Sequence, residues 1–306
     1  MRSRLFGTTS YLLSLSFIYL VLDIVLPVNT ANQQLYHLTS LAGHVLQLVL
    51  ALPMVAIWLA AFYGFVKLKE YADSLQNSKE AGGYRLLARG CMWLAWGKPV
   101  VAIISAVLIA IANTHAGFMS TSVVLINYID IIVPLIAFIS ISLGSRKLLD
   151  LTKDPLSASA ARTIALIFVV LAVVYCYLIF RSINFGSLTS ATKPYYLPIW
   201  LIITTVTIPY LYTWLIGLLS VGEIMRYSQK IHGILYKHAV QYISVGIIAV
   251  IASAIAFQYV SSIDPALKQM SLDYLLISNY LIKLMGATGF VSIGIGAVSL
   301  KRIEDV

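Results

Sequence analysis

Long apolar segments separated by short polar connectors restrict this chain more than any other feature of its sequence. Hydrophobic residues make up 60% of the 306 residues and charged residues only 11%, which is more apolar surface than one water-soluble core can bury. A helix of about 20 apolar residues crosses the hydrocarbon of a bilayer. The chain is therefore predicted to be an all-α multi-pass membrane protein whose main partner is the lipid bilayer.

Eight such segments are predicted to span the membrane. Their bounds are Tyr11–Leu26, Ser40–Val66, Leu86–Asn113, Met119–Arg146, Ile164–Phe180, Leu197–Val221, Ile243–Val260 and Leu272–Leu300. Arg2 and Arg4 before the first segment also fit a cleavable signal peptide. Asp23 is awkward in the hydrophobic region of a signal peptide, and a four-helix repeat needs this segment. We therefore expect it to be a membrane helix.

One stretch of the chain occurs twice without a gap, at residues 127–148 and 279–300. The matched residues are Asn127 with Asn279, Tyr128 with Tyr280, Phe138 with Phe290, Ser140 with Ser292, Gly144 with Gly296 and Leu148 with Leu300. Pro53 and Trp58 in the second segment are likewise echoed by Pro209 and Trp214 in the sixth. The sequence thus predicts two tandem four-helix repeats, residues 1–150 and 151–306. Because each has an even number of spans, the halves should have parallel topology.

Lysine and arginine are concentrated in the connectors on one side of the predicted membrane. That side carries Arg2, Arg4, Lys67, Lys69, Lys79, Arg85, Arg89, Arg146, Lys147, Lys153, Arg162, Arg226, Lys230, Lys237, Lys301 and Arg302, and the other side only Arg181, Lys193 and Lys268. The positive-inside rule then places both termini in the cytoplasm of a cell-membrane protein. The net charge of +9 is read as this topological signal, so nucleic acid is not an expected partner. The connector Lys67–Arg89 is expected to turn at Gly82–Gly83.

Three charged residues lie deep within the predicted spans: Asp130, Lys283 and Lys98. Asp130 and Lys283 each lie about eleven residues into a span, which places both near the middle of the membrane. An uncompensated charge there costs at least about 2.5–3.5 kcal/mol, so the simplest arrangement pairs Asp130 with Lys283 or with Lys98. Such a pair is either a polar site between the halves or a structural ion pair that fixes how they dock.

Other polar residues give weaker signals. Ser40, His44 and Gln47 share one stripe of the second helix and should face protein or water. His37 and His44 are about 10.5 Å apart along a continuous helix, so a metal or haem site built from them with Asp23 and His115 is not favoured. No metal or cofactor is predicted. Cys91 and Cys176 are too few for a disulfide framework.

Two small-residue patterns predict close helix packing, one at Ser140 and Gly144 and the other at Ser292 and Gly296.

The leading functional hypothesis is a small-solute or ion permease. Its site would lie between the halves at Asp130, Lys283 and Lys98, with His44 and Gln47 along the path. The alternative is a non-catalytic membrane scaffold or a subunit of a membrane complex, in which the buried charges are docking devices. A second copy of the chain or another membrane protein is then a further partner. An enzyme is not expected, because the sequence contains no HExxH motif, paired carboxylates or GxSxG motif.

Overall fold

The computed structural model describes residues 14–18, 21, 40–75, 78–114, 119–153, 155–185, 207–231, 233–261 and 280–304. Throughout these ranges the regular structure is helical. The helices are α1 (Ser40–Ser74), α2 (Lys79–Met92), α3 (Lys98–Thr114), α4 (Met119–Leu151), α5 (Ala158–Phe185), α6 (Ile208–Lys230), α7 (Ile234–Ser261) and α8 (Ile282–Glu304). A π-helical segment, Trp93–Gly97, joins α2 to α3 so that the two form one continuous rod.

Seven helical stretches are long and apolar enough to cross a bilayer. They are Ala51–Ser74, Lys79–Leu108, Tyr128–Leu151, Ala158–Leu178, Ile208–Lys230, Ile234–Tyr259 and Ile282–Glu304. An all-helical structure is thereby confirmed for the described residues, and its seven long apolar helices indicate a multi-pass membrane protein. The predicted first span lies almost entirely outside them, apart from residues 14–18 and 21, which are helical. An eighth span, the tandem repeat and the cytoplasmic termini stay predictions.

The helices form a bundle in which the two halves of the chain are interleaved. The most extensive contacts of α8 are with α7 and α1, whereas α4 packs on α2 and α6. Helix α5 packs mainly against α6, and large apolar side chains on its other faces are exposed. In a membrane protein these side chains face lipid. We call the end of the bundle where α1, α4, α6 and α8 finish and α2, α5 and α7 start the charged end.

Two glycines bring neighbouring helices into backbone contact. A Cβ atom added at Gly144 of α4 would lie 2.9 Å from the carbonyl oxygen of Gly83 in α2. A Cβ atom added at Gly296 of α8 would lie 2.6 Å from the carbonyl oxygen of Ala239 in α7. Any larger residue at either position would push the two backbones apart.

The expected turn at Gly82–Gly83 is wrong. Helix α2 begins at Lys79, and the side chain of Ser78 caps it by accepting a hydrogen bond from the backbone N–H of Ala81 at 3.0 Å. Both glycines therefore lie inside the helix. A Cβ atom at Gly83 would lie 2.6 Å from Leu148 of α4, so this glycine permits close packing rather than a change of chain direction.

Five polar side chains link five helices at the charged end. Glu80 of α2 accepts hydrogen bonds from Tyr227 of α6, at 2.9 Å, and from Tyr236 of α7. The hydroxyl of Tyr236 lies 2.7 Å from that of Tyr71 in α1, which also donates to Glu304 of α8 at 3.4 Å. We call Tyr71, Glu80, Tyr227, Tyr236 and Glu304 the tyrosine–glutamate cluster. It ties helices from both halves of the chain together at this end.

Candidate functional site

A cavity of about 410 Å³ lies inside the bundle, bounded by α1, α3, α4, α6, α7 and α8. Three of these helices come from each half of the chain. The volume falls within the range of about 300–1,000 Å³ that is usual for small-molecule sites. Most of the lining residues are apolar. The charged and hydrogen-bonding ones are Lys98, Ser105, Asp130, Tyr210, Thr213, Ser253, Gln258 and Lys283, together with Trp58 and Trp214.

An ion pair between α3 and α4 forms part of the cavity wall. The Nζ atom of Lys98 lies 2.5 Å from Oδ1 of Asp130 and donates a second hydrogen bond to the backbone carbonyl of Asp130 at 3.1 Å. The two side chains are 28% and 34% exposed. Of the two partners that the sequence predicts for Asp130, the structure thus brings Lys98 to the carboxylate.

The local sequence explains how Lys98 reaches Asp130. Pro99 has no N–H, and its ring would collide with the carbonyl of Ala95 in a regular α-helix. The backbone is π-helical over Trp93–Gly97, directly before Lys98. Gly97 also allows the start of α3 to approach α4 closely, because a Cβ atom there would lie 2.7 Å from Val133. The start of α3 is therefore held close enough to α4 for the ammonium of Lys98 to reach the carboxylate of Asp130.

Tyr210 of α6 is a further partner of Asp130. Its hydroxyl donates to Oδ2 of the aspartate at 3.3 Å, so both carboxylate oxygens accept hydrogen bonds. This bond crosses between the two halves of the chain, whereas the bond to Lys98 does not. Sequence reasoning missed Tyr210, because it treated the neighbouring Pro209 only as a kink. Nothing else in the sequence distinguishes this residue among the 19 tyrosines of the chain.

Lys283 lines the cavity from the first turn of α8. Its side chain is buried, with a relative exposure of 7%. The Nζ atom lies 5.8 Å from the centroid of the Phe257 ring in α7, which is the geometry of a cation–π contact. Ser253 of α7 donates to the carbonyl of Ile282 at 2.7 Å and so fixes α8 against α7 beside the lysine.

Four aromatic side chains of the cavity wall are paired between the two halves of the sequence. Trp58 and Trp214, which follow Pro53 and Pro209 at the same interval in the sequence, both line the cavity. So do Phe138 and Phe290, which are matched in the repeated stretch. All four are at most 2% exposed. Sequence reasoning used these residues only as signs of duplication and did not assign them to a site.

Within the described residues, π-helical backbone occurs at three places: Trp93–Gly97, Thr207 and residues 280–281. A polar residue of the cavity wall follows each of them within three residues, namely Lys98, Tyr210 and Lys283. A π-helical turn releases a backbone group and changes the face on which the next side chains lie. Such turns are frequent at functional sites.

The structure describes the side chains of some of the remaining candidate residues and not of others. His44 and Gln47 lie on α1, but their side chains are outside the described part of the structure, as are His37, His115 and Asp23 entirely. Ser292 donates to the carbonyl of Tyr242 in α7 at 2.8 Å, whereas Ser140 donates within its own helix, to Ile136 at 2.9 Å.

No group of three or more histidine, cysteine, aspartate or glutamate residues that could hold a metal occurs in the described ranges. Cys91 is a buried free thiol and Cys176 an exposed one.

Comparison of the chain with protein-family models, with curated proteins and with solved structures gave no match.

Proposed function

We propose that this protein is a permease for a small solute or ion, with its binding site in the central cavity. The observation that carries the proposal is a cavity of ligand size, between the two halves of the chain, whose wall contains Lys98, Asp130 and Lys283. Ionisable side chains are expensive in the apolar part of a membrane protein, and they usually mark a substrate or ion path. A purely structural ion pair does not require an adjoining cavity.

The proposed mechanism is a movement of one repeat against the other around this site. The matching contacts of Gly144 on α2 and of Gly296 on α7 support two similarly built halves, because in each case the glycine packs on a backbone carbonyl of the preceding span. The tyrosine–glutamate cluster joins the halves at the charged end. In this mechanism its hydrogen bonds hold that end closed, and they separate when the cavity opens there.

We further propose that the protein lies in the cell membrane with its charged end and both termini in the cytoplasm. The concentration of basic residues in the connectors at that end supports this orientation. The role is proposed to be non-enzymatic, because the cavity wall offers one ion pair and a second lysine but no arrangement of nucleophile and base among the described residues.

A scaffold or a subunit of a membrane complex is the alternative. The direct contact between Lys98 and Asp130 favours it, since a closely bonded pair is what a structural role needs. However, both residues belong to the first half of the chain, so this pair does not dock the two halves. The hydrogen bond from Tyr210 to Asp130, in contrast, joins the two halves at this position.

Thiol labelling separates the two functions without knowledge of the substrate. In a background with Cys91→Ala and Cys176→Ser, Ser105→Cys places one thiol on the cavity wall. A permease predicts that this thiol reacts with a small membrane-impermeant reagent in both right-side-out and inverted membrane vesicles. A scaffold predicts reaction in neither. Reaction from one side alone, or from none, contradicts a permeation path.

Two matched variants calibrate the labelling. Ser220→Cys is a buried position on α6 outside the cavity and should stay unreactive in both vesicle types. Gln229→Cys is exposed at the charged end and should react only in inverted vesicles if that end is cytoplasmic. Labelling of Gln229→Cys in right-side-out vesicles would contradict the proposed orientation of the charged end. It would not test the permease proposal, which depends on the result at Ser105→Cys.

A further inference from the structure

The charged residues of the cavity wall indicate which charge the substrate should carry. Among the described residues that line the cavity, Lys98 and Lys283 are cationic and Asp130 is the only acidic one. Asp130 is already engaged by Lys98 through one oxygen and by Tyr210 through the other. A cationic substrate would have to displace the ammonium of Lys98 from this carboxylate. The wall therefore favours an anion over a cation.

Lys283 is the group best placed to receive that anion. It is buried in the wall beside the ring of Phe257, and it follows Ile282, whose carbonyl accepts a hydrogen bond from the hydroxyl of Ser253. An ammonium group has three donors, so Lys283 can keep protein partners and still donate to a carboxylate. A buried positive charge is stabilised most by a negative charge, because the local dielectric is low.

The rest of the wall specifies an apolar body. Its apolar side chains include Met54 and Ile57 of α1, Pro134 of α4 and Phe257 of α7, all of which keep part of their surface accessible. A substrate that carries only a charge, such as an inorganic anion, would leave this apolar surface without a partner. An apolar or aromatic body would cover it and gain the hydrophobic contribution.

We propose that the cavity binds a small organic monoanion, an amphipathic carboxylate whose charged group lies against Lys283 and whose apolar body lies against Met54, Ile57 and Pro134. This inference rests on the proposed permease function, since it names the substrate class for the same site.

The first test uses three probes with one apolar body and different charges: phenylbutyrate, phenylbutanol and phenylbutylammonium. With purified full-length protein in detergent, phenylbutyrate should raise the Tm by a few degrees, because a ligand that binds only the folded state stabilises it. The neutral and cationic probes should raise it much less. The shift with phenylbutyrate should be lost in Lys283→Gln, and it should be kept in Lys283→Arg and in the control Lys301→Gln at the charged end.

A second test leaves Lys283 in place and therefore does not depend on the folding of a lysine variant. In the background without native cysteines, Ser253→Cys puts a thiol on the cavity wall next to the first turn of α8. The anionic reagent sulfonatoethyl methanethiosulfonate should react with it about tenfold faster than the cationic trimethylammonioethyl reagent, after correction for their rates with a free thiol. Saturating phenylbutyrate should slow the anionic reaction.

Several results would overturn the inference. They are a Tm shift with phenylbutylammonium instead of phenylbutyrate, no shift with any probe, a full phenylbutyrate shift in Lys283→Gln, or equal or reversed reagent rates at Ser253→Cys. If Ser105→Cys is nevertheless labelled from both sides of the membrane, only the substrate class is wrong and the permease function stands. If Ser105→Cys is not labelled either, both proposals fail together.

Discussion

The two carboxylate oxygens of Asp130 accept hydrogen bonds from two residues on different helices. Lys98 is bound by Oδ1 and by the backbone carbonyl, and Tyr210 by Oδ2. Because both charged side chains keep about a third of their surface accessible, 28% and 34%, the attraction between the two charges is weaker than it would be in a fully buried pair. We expect it to behave as a coupled unit that can still respond to a ligand in the cavity.

The coupling predicts a pattern in a double-mutant cycle. Asp130→Asn and Lys98→Met should each lower the free energy of unfolding by about 1.5–3 kcal/mol, since each removes a hydrogen bond to a charged group and strands its partner. The double variant should lose much less than the sum. The measurement is thermal unfolding of the detergent-solubilised protein, with the exposed Lys147→Met as control. Additive losses would show that the two side chains do not interact.

At the scale of single residues, the sequence predicts which residues belong to the site better than it predicts which of them are in contact. Asp130, Lys98 and Lys283 could be selected because a charge in an apolar span is costly and therefore conspicuous. The contact of Asp130 with Lys98 rather than with Lys283 depends on the position of α3 against α4, which the π-helical segment and Gly97 determine. Tyr210 could not be selected from the sequence, because tyrosine carries no charge and is also common at the membrane–water interface.

Helices in this bundle approach closely wherever glycine lies between them. Gly144 faces α2 and Gly296 faces α7, and in both places the neighbouring backbone would stand within van der Waals distance of an added methyl group. The sequence predicts this packing from the small residues spaced four apart, but it does not say which helix is the partner. The turn that the sequence predicts at Gly82–Gly83 is wrong, because a pair of glycines in a polar connector cannot be distinguished by sequence from a pair inside a packed helix.

Glycine substitutions should therefore differ according to the atoms nearby. Gly144→Ala and Gly296→Ala should each destabilise the protein by about 1–3 kcal/mol, because rigid backbone must move to admit the methyl group. Gly217→Ala is the matched control: its nearest neighbours are side-chain atoms of Ile251 at 3.2 Å or more. It should be neutral or slightly stabilising, since alanine favours a helix more than glycine does. Equal effects at all three positions in thermal unfolding would contradict this account.

The two halves of the molecule pack on each other as well as within themselves. Helix α4 of the first half packs on α6 of the second, and α8 packs on α1. The tyrosine–glutamate cluster adds hydrogen bonds between the halves at the charged end. Apolar segments in the sequence predict the helices and nearly all their positions, but this order of neighbours depends on side-chain fit between helices and is not encoded in hydropathy.

The interleaved arrangement predicts that the halves assemble without a covalent link. Fragments 1–154 and 155–306, expressed together with an affinity tag on one, should co-purify from detergent extracts. Tyr227→Phe combined with Tyr236→Phe should reduce the recovered partner, because Glu80 then loses both donors. Tyr242→Phe, at an exposed position on α7, is the control and should not. Fragments that purify separately would contradict the predicted interdependence of the halves.

The contact between α1 and α8 also has a consequence for synthesis on the ribosome. About 200 residues separate the end of α1 at Ser74 from the start of α8 at Ile282. At about 5–20 residues per second, α1 is complete roughly 10–40 s before its partner exists. Until then the glycine-lined face that α8 presents has not been made, and Ile57 and Tyr63 of α1 lack their neighbours at Gly286 and Gly294. The newly made first half therefore stays in the membrane without this packing partner until α8 has been synthesised.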